Sequence, residues 1–143
     1  MVEILEAEKV FVPRPRRPVG TLGGVQVGIT ARVYEVQGDK TLVGDVPDDV
    51  LLVVRDGGLR IEGYVFGHVL ASQGIAITGN CQGGWVVSIN GDILATRILS
   101  GANVISPRGS IHCQAAELPQ CIFAGRSVRI EGSIHGGKVV GRM

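Results

Sequence analysis

Three histidines, three cysteines and a thin scatter of carboxylates are the residues of this chain whose types could do chemistry. A metal site built from His68, His112 and His135 would need two or three imidazoles on one side of the molecule, within a few ångströms of each other. The repeat described below puts no two of them in one column, and no carboxylate recurs beside them. They are expected to be solvated or singly bonded surface residues. Cys81, Cys113 and Cys121 are odd in number and form no CxxC pair. With no signal peptide in MVEILEAEKVF at the start, they are expected to be buried thiols in a reducing cytoplasm. No GxSxG-like turn marks a nucleophilic serine. The expectation is therefore no catalytic residue, no metal and no cofactor.

Glycine pairs invite a phosphate-loop reading: LGGV at 22–25, QGGW at 82–85 and HGGK at 135–138. None is GxxxxGK[ST], none is GxGxxG opening a helix, and no amphipathic helix follows. They are expected to be corners needing positive φ, with Gly79-Asn80 and Asn90-Gly91 in the same class. Arg14, Arg16 and Arg17 lie in PRPRRP at 13–18. At an anionic membrane surface three such charges contribute only ~3 kcal/mol, so a solvated, extended linker is the expectation. The formal charge of +1 gives no basic footprint for nucleic acid, and no apolar run reaches the ~18 residues of a membrane helix.

The elements that would have to position these residues follow from the glycines. There are 22 in 143 residues, about twice ordinary usage, set among abundant Val, Ile and Leu. That combination means many short strands with tight corners. The chain can be cut before a glycine at positions 58, 74, 91, 109 and 125, at intervals of 16, 17, 18 and 16 residues. So short a period has room for strands and corners but not for a helix. Aligned on that cut, columns keep their character. One reads Val65, Cys81, Ile98, Ala116, Ile134. Others read Ile75, Ile93, Ile111, Val128, then Ile77, Ala95, Cys113, Ile130, and Val69, Val86, Val104, Ile122, Val139. Small residues recur at Ala71, Ser88, Ser106, Ala124 and Gly141. Stacked coils require this, because equivalent side chains lie about 4.8 Å apart. The fold expected is all-β: a single-stranded parallel β-helix, right-handed, of about 5–6 coils of 16–19 residues. It should span 38–143, with Val46 and Val50 as the forerunners of Val65 and Val69. Residues 1–37 should hold a short strand and the Pro-Arg linker.

The stretch from about Gly44 to Gly141 resembles the β-helical region of the flagellar assembly protein A family of bacterial cytoplasmic proteins. The residues that carry the likeness are GDIL at 91–94, GSIH at 109–112, IEG at 61–63 and 130–132, and HGGKVVG at 135–141. More loosely the chain is similar to the polymer-forming bactofilins and to the C-terminal domain of the division inhibitor MinC. The resemblance implies a scaffold-like protein without catalytic residues. Two enzyme classes also use β-helices. Carbohydrate-active ones cluster Asp, Lys or Arg on one face, yet between Tyr64 and Pro107 the formally charged residues are Asp92 and Arg97. Hexapeptide acyltransferases have 18-residue coils and a catalytic histidine at a subunit seam. The spacing Ile93, Leu99, Ile105, Ile111 mimics their hexad, but the other coils do not keep it.

Beside the Val69–Val139 column runs another of apolar residues: Leu70, Val87, Ile105, Phe123 and Val140. Adjacent residues on a strand face opposite sides, so only one of the two columns can point inward. Whichever parity holds, about five apolar side chains face out, and monomers rarely leave such a patch uncovered. These five are the candidate interface. Residues 1–36 could fold over it, or a partner could: an identical chain, or another cytoskeletal or membrane-associated protein. The last coil also ends without a capping helix, a second route to self-association.

Overall fold

The computed structural model describes residues 3–11, 21–22, 25–26, 32–99, 101–117, 119, 121–132 and 134–141. The linker expected at 13–18 lies outside them. The chain begins with β1 (Glu3–Glu6) and a single turn of helix, α1 (Ala7–Val10). A small antiparallel hairpin of β2 (Thr21–Leu22) and β3 (Val25–Gln26) follows. Strands then alternate between two larger sheets. They are β4 (Arg32–Gln37), β5 (Lys40–Val43), β6 (Val50–Arg55), β7 (Leu59–Glu62), β8 (His68–Ala71), β9 (Ile75–Cys81) and β10 (Trp85–Ser88). The rest are β11 (Ile93–Ile98), β12 (Asn103–Ser106), β13 (Ile111–Glu117), β14 (Cys121–Ala124), β15 (Val128–Ile130), β16 (Ile134–His135) and β17 (Val139–Val140).

One sheet runs β1-β5-β7-β9-β11-β13-β15, with β16 also on β13, and the other runs β4-β6-β8-β10-β12-β14-β17. Every ladder in both is parallel. Each strand thus pairs with the one a full coil later, and the molecule is a β-solenoid of about six turns. Two segments upstream of residue 38 belong to it. Arg32–Gln37 pairs along its whole length with β6, and Glu3–Glu6 with β5.

The registers reproduce the sequence columns. Val65, Cys81, Ile98, Ala116 and Ile134 stand in line, as do Ile75, Ile93, Ile111 and Val128. Val46 precedes Val65 as expected. Val50 does not precede Val69. That place is taken by Leu52, because the corner holding the Asp48-Asp49 turn is two residues longer than its counterpart after Val65. The core is one aliphatic stack, with Leu42, Leu52, Ile61, Ile93, Ile98, Ile111 and Ile122 all fully buried. Burying each such side chain contributes roughly 1.5–3 kcal/mol.

Glycines serve the corners in two ways. Gly83, Gly84, Gly136 and Gly137 have φ between 66° and 82°, as expected of corner residues. Gly79 and Gly91 do not have positive φ, which corrects the reading given to them. They are needed because a Cβ there would strike the backbone of the coil above, at Gly63 and Gly74 respectively.

Candidate functional site

Parity is decided by burial. Val69, Val86, Val104 and Ile122 are at most 1% exposed, so their column points inward. The adjacent column therefore faces out. It reads Glu35, Val53, Leu70, Val87, Ile105, Phe123, Val140 in ladder register. Leu70, Val87 and Ile105 are half-buried because each is flanked by apolar neighbours in the coils above and below. Towards the C-terminal end, Phe123 and Val140 are 38% and 40% exposed. All five residues singled out from the sequence thus stand in one line on one face.

The face is wider than the sequence reading made it. Leu51 and Trp85 lie two residues before Val53 and Val87, on the same side of the sheet, and Ile89 lies two residues after Val87. Trp85 is 48% exposed, and Tyr64 and Phe66, close in sequence to the same strands, are also exposed. The rings of Tyr64 and Phe66 are 6.1 Å apart. A shallow cleft of about 360 Å³ opens beside the ladder, lined by Val53, Arg55, Asp56, Leu70, Ser72 and Ile89. The signal for this widening was the period-2 pattern within each strand, which the column reading followed at only one position.

The outer face of the opposite sheet is different. Its two columns read Ile4, Thr41, Arg60, Ala76, Leu94, His112, Arg129 and Glu6, Val43, Glu62, then Thr78 and further on Gln114 and Glu131. Charge interrupts both, at Arg60 and Arg129 in the first and at Glu6, Glu62 and Glu131 in the second, and polar Thr41, His112, Thr78 and Gln114 break them further. The apolar run on the seven-stranded sheet is therefore not a property of the fold, which supports both kinds of surface.

The chemistry-bearing residues are dispersed. His68 lies on β8 of one sheet and His112 on β13 of the other; His135 is on β16. His68 Nδ1 accepts a hydrogen bond from the Trp85 backbone N–H at 3.2 Å. His112 does have a carboxylate beside it, contrary to the sequence reading: Nε2 lies 2.9 Å from Glu131 Oε1, itself 3.1 Å from Arg129 Nε. The pair was hidden because the residues are 19 apart: one coil leads from His112 to Arg129, and Glu131 lies two residues further along the strand, on the same face. A cleft of about 360 Å³ lies there, lined by Leu94, Ala95, His112, Cys113, Gln114 and Glu131. It holds no activated thiol, since His112 faces out and the Cys113 side chain faces the core. Burial pushes the Cys113 thiol up to about 11 and the Cys81 thiol up to about 12. Both stay protonated and inert at neutral pH. Among the described residues there is no group of three or more His, Cys, Asp or Glu side chains placed to hold a metal ion. The apparent hexad also dissolves: Ile93 and Ile111 are buried on one sheet, whereas Ile105 faces out on the other.

Several polar residues turn out to hold coils together. Asp39, Asp45 and Asp92 each follow a glycine, and each carboxylate accepts the backbone N–H of a residue in the next coil. The donors are Gly58 at 2.8 Å, Tyr64 at 2.9 Å and Ser110 at 2.8 Å. Ser88 and Ser106, fully buried, donate to the carbonyls of Gln73 and Gly91 at 2.7 and 2.6 Å.

The fold and face together define a β-solenoid with one apolar outer ladder. Compared with protein-family models, curated proteins and solved structures, the chain matches none of them.

Proposed function

We propose that the protein is a non-catalytic scaffold of the bacterial cytoplasm, of the kind the resemblance to flagellar assembly protein A suggests, and that it self-associates. The observation that carries this reading is the uninterrupted apolar ladder Val53, Leu70, Val87, Ile105, Phe123, Val140, broadened by Leu51, Trp85 and Ile89. Surface apolar residues are ordinary when scattered, but a contiguous line of six along a sheet marks a contact site. A flat β-face offers a second copy a matching line of side chains, and face-to-face packing of two sheets buries both. No helix among the described residues is long and apolar enough to cross a membrane.

Light scattering and electron microscopy on the full chain test the proposal. Dimers or filaments are expected, and Ile105→Asp or Phe123→Asp should dissolve them while leaving the strand signal in circular dichroism unchanged. A wild-type chain that stays strictly monomeric at high concentration would overturn the reading.

A further inference from the structure

Of the six aromatic residues in the chain, three stand exposed at one corner of the solenoid. Tyr64 is 47% exposed, Phe66 37% and Trp85 48%. Of the others, Phe11 and Tyr34 pack on each other and Phe123 lies on the ladder. Tyr64 and Phe66 flank Val65, which is fully buried and bridges Val46 and Cys81. Both rings therefore point outward from the stretch that links the two sheets. They are tilted 47° to each other, which leaves an open V between them. Glycine keeps the surroundings bare. A Cβ at Gly79 would come within 2.9 Å of the Tyr64 ring. Gly67, Gly83 and Gly84 turn the corner between Phe66 and Trp85, packed so closely that a Cβ at Gly84 would overlap the Gly67 carbonyl.

The coils on either side supply polar groups of two kinds. In the preceding coil the matching outward residues are Asp45 and Pro47, and in the next coil they are Asn80 and Gln82. The Asp45 carboxylate accepts the Tyr64 N–H at 2.9 Å. Asp48 is exposed on the turn that the Val50 N–H closes on the Pro47 carbonyl, and that turn packs against Gly67, next to Phe66. Asp49 is paired with Arg32, but no ion pair among the described residues engages Asp45 or Asp48. The side-chain amides of Asn80 and Gln82 are bonded to no described residue. A strip one coil wide thus has bare aromatic rings along its middle, carboxylates on one side and amides on the other.

Those three features fit one kind of ligand. A polyproline II segment is extended and has no internal hydrogen bonds, so its carbonyls are open to donors such as the two amides. Its proline rings seat between aromatic side chains. Carboxylates beside aromatic faces favour arginine, whose guanidinium stacks on a ring while it pairs with an acid. An apolar partner packed here would bury Asp45 and Asp48 without a counter-charge, which is costly. We propose that the Tyr64–Phe66–Trp85 corner is a docking site for a proline-rich, arginine-bearing segment of a partner protein, bound in the polyproline II conformation. This goes beyond the self-association reading and uses a separate site, although Trp85 borders both.

Trp85 is the chain's one tryptophan, so its fluorescence reports on the corner. The titration uses the full chain carrying Phe123→Asp, which keeps ladder contacts away from Trp85, and the synthetic peptide PRPRRP. Binding should shift the emission saturably. The peptide ARARRA keeps the charge and PQPQQP keeps the prolines; each should bind at least about tenfold more weakly. Phe66→Ser and Asp48→Lys should each weaken PRPRRP at least about tenfold. Both side chains are exposed, so circular dichroism should not change. If either control peptide binds as well as PRPRRP, or either substitution leaves binding unchanged, the assignment is wrong. The chain itself carries PRPRRP at 13–18. If binding appears only when Pro13→Ala, Pro15→Ala and Pro18→Ala are combined, the occupant is the chain's own segment and the partner assignment is overturned. Absence of binding in both forms also overturns it, and a change in sedimentation on Phe66→Ser would then make the corner a contact between copies. None of these outcomes bears on the ladder, which Ile105→Asp tests by itself.

Discussion

Val104 and Ile105 are neighbours on β12 with opposite fates, and aspartate at each position separates fold from function. Val104 is 0% exposed, stacked between Val86 and Ile122. Val104→Asp forfeits the burial of the valine, roughly 1.5–3 kcal/mol. It also puts a carboxyl where water cannot follow, raising its pKa by about 3 units, which costs about 4 kcal/mol at pH 7. A loss of about 6 kcal/mol would consume much of a domain stability of about 5–15 kcal/mol. Ile105 faces out and is half-buried. Ile105→Asp should cost less than about 1.5 kcal/mol, since solvent reaches the new carboxylate. The assay is urea unfolding followed by circular dichroism at pH 7 and pH 4. The folded-state carboxyl of Val104→Asp lies above its unfolded value, so the folded form binds more protons between the two. Stability therefore falls as pH rises from about 4 to about 7, and the variant should recover about 3 kcal/mol at pH 4, where the unfolded-state carboxyl is still about half ionised. Equal losses at the two positions, or a milder loss at Val104, would refute the parity assigned to this sheet and with it the ladder.

Two further outcomes follow from packing. Gly125→Ala drives a Cβ into the Pro107 carbonyl of the preceding coil, which cannot retreat, and should destabilise by more than about 2 kcal/mol; Gly74→Ala, whose Cβ would come no closer than 3.3 Å to the Asp92 carbonyl, should cost less than about 1 kcal/mol by the same urea assay. Cys121 is half-buried and should label with a thiol reagent in the native protein, whereas Cys81 and Cys113 should label only on unfolding. Because burial pushes Cys81 up to about 12, stability present below about pH 9 should be lost progressively as pH rises towards 12.

The sequence by itself determined the coil. Five columns of aliphatic and small residues, spaced 16 to 18 residues apart, dictate parallel stacking because only side chains tolerated at every level can share a line with a 4.8 Å repeat. The three inter-coil Asp bonds were legible in principle, as Gly-Asp at 38–39, 44–45 and 91–92, but their meaning needed the donor one coil away. Other features depended on distances that no local pattern carries. Val50 lost its place to Leu52 through the length of one corner, and His112 met Glu131 through an offset along the strand. Above all, two adjacent apolar columns left the inward face undecided. Only the closed solenoid, by burying Val69, Val86, Val104 and Ile122, turned the Leu70–Val140 column outward.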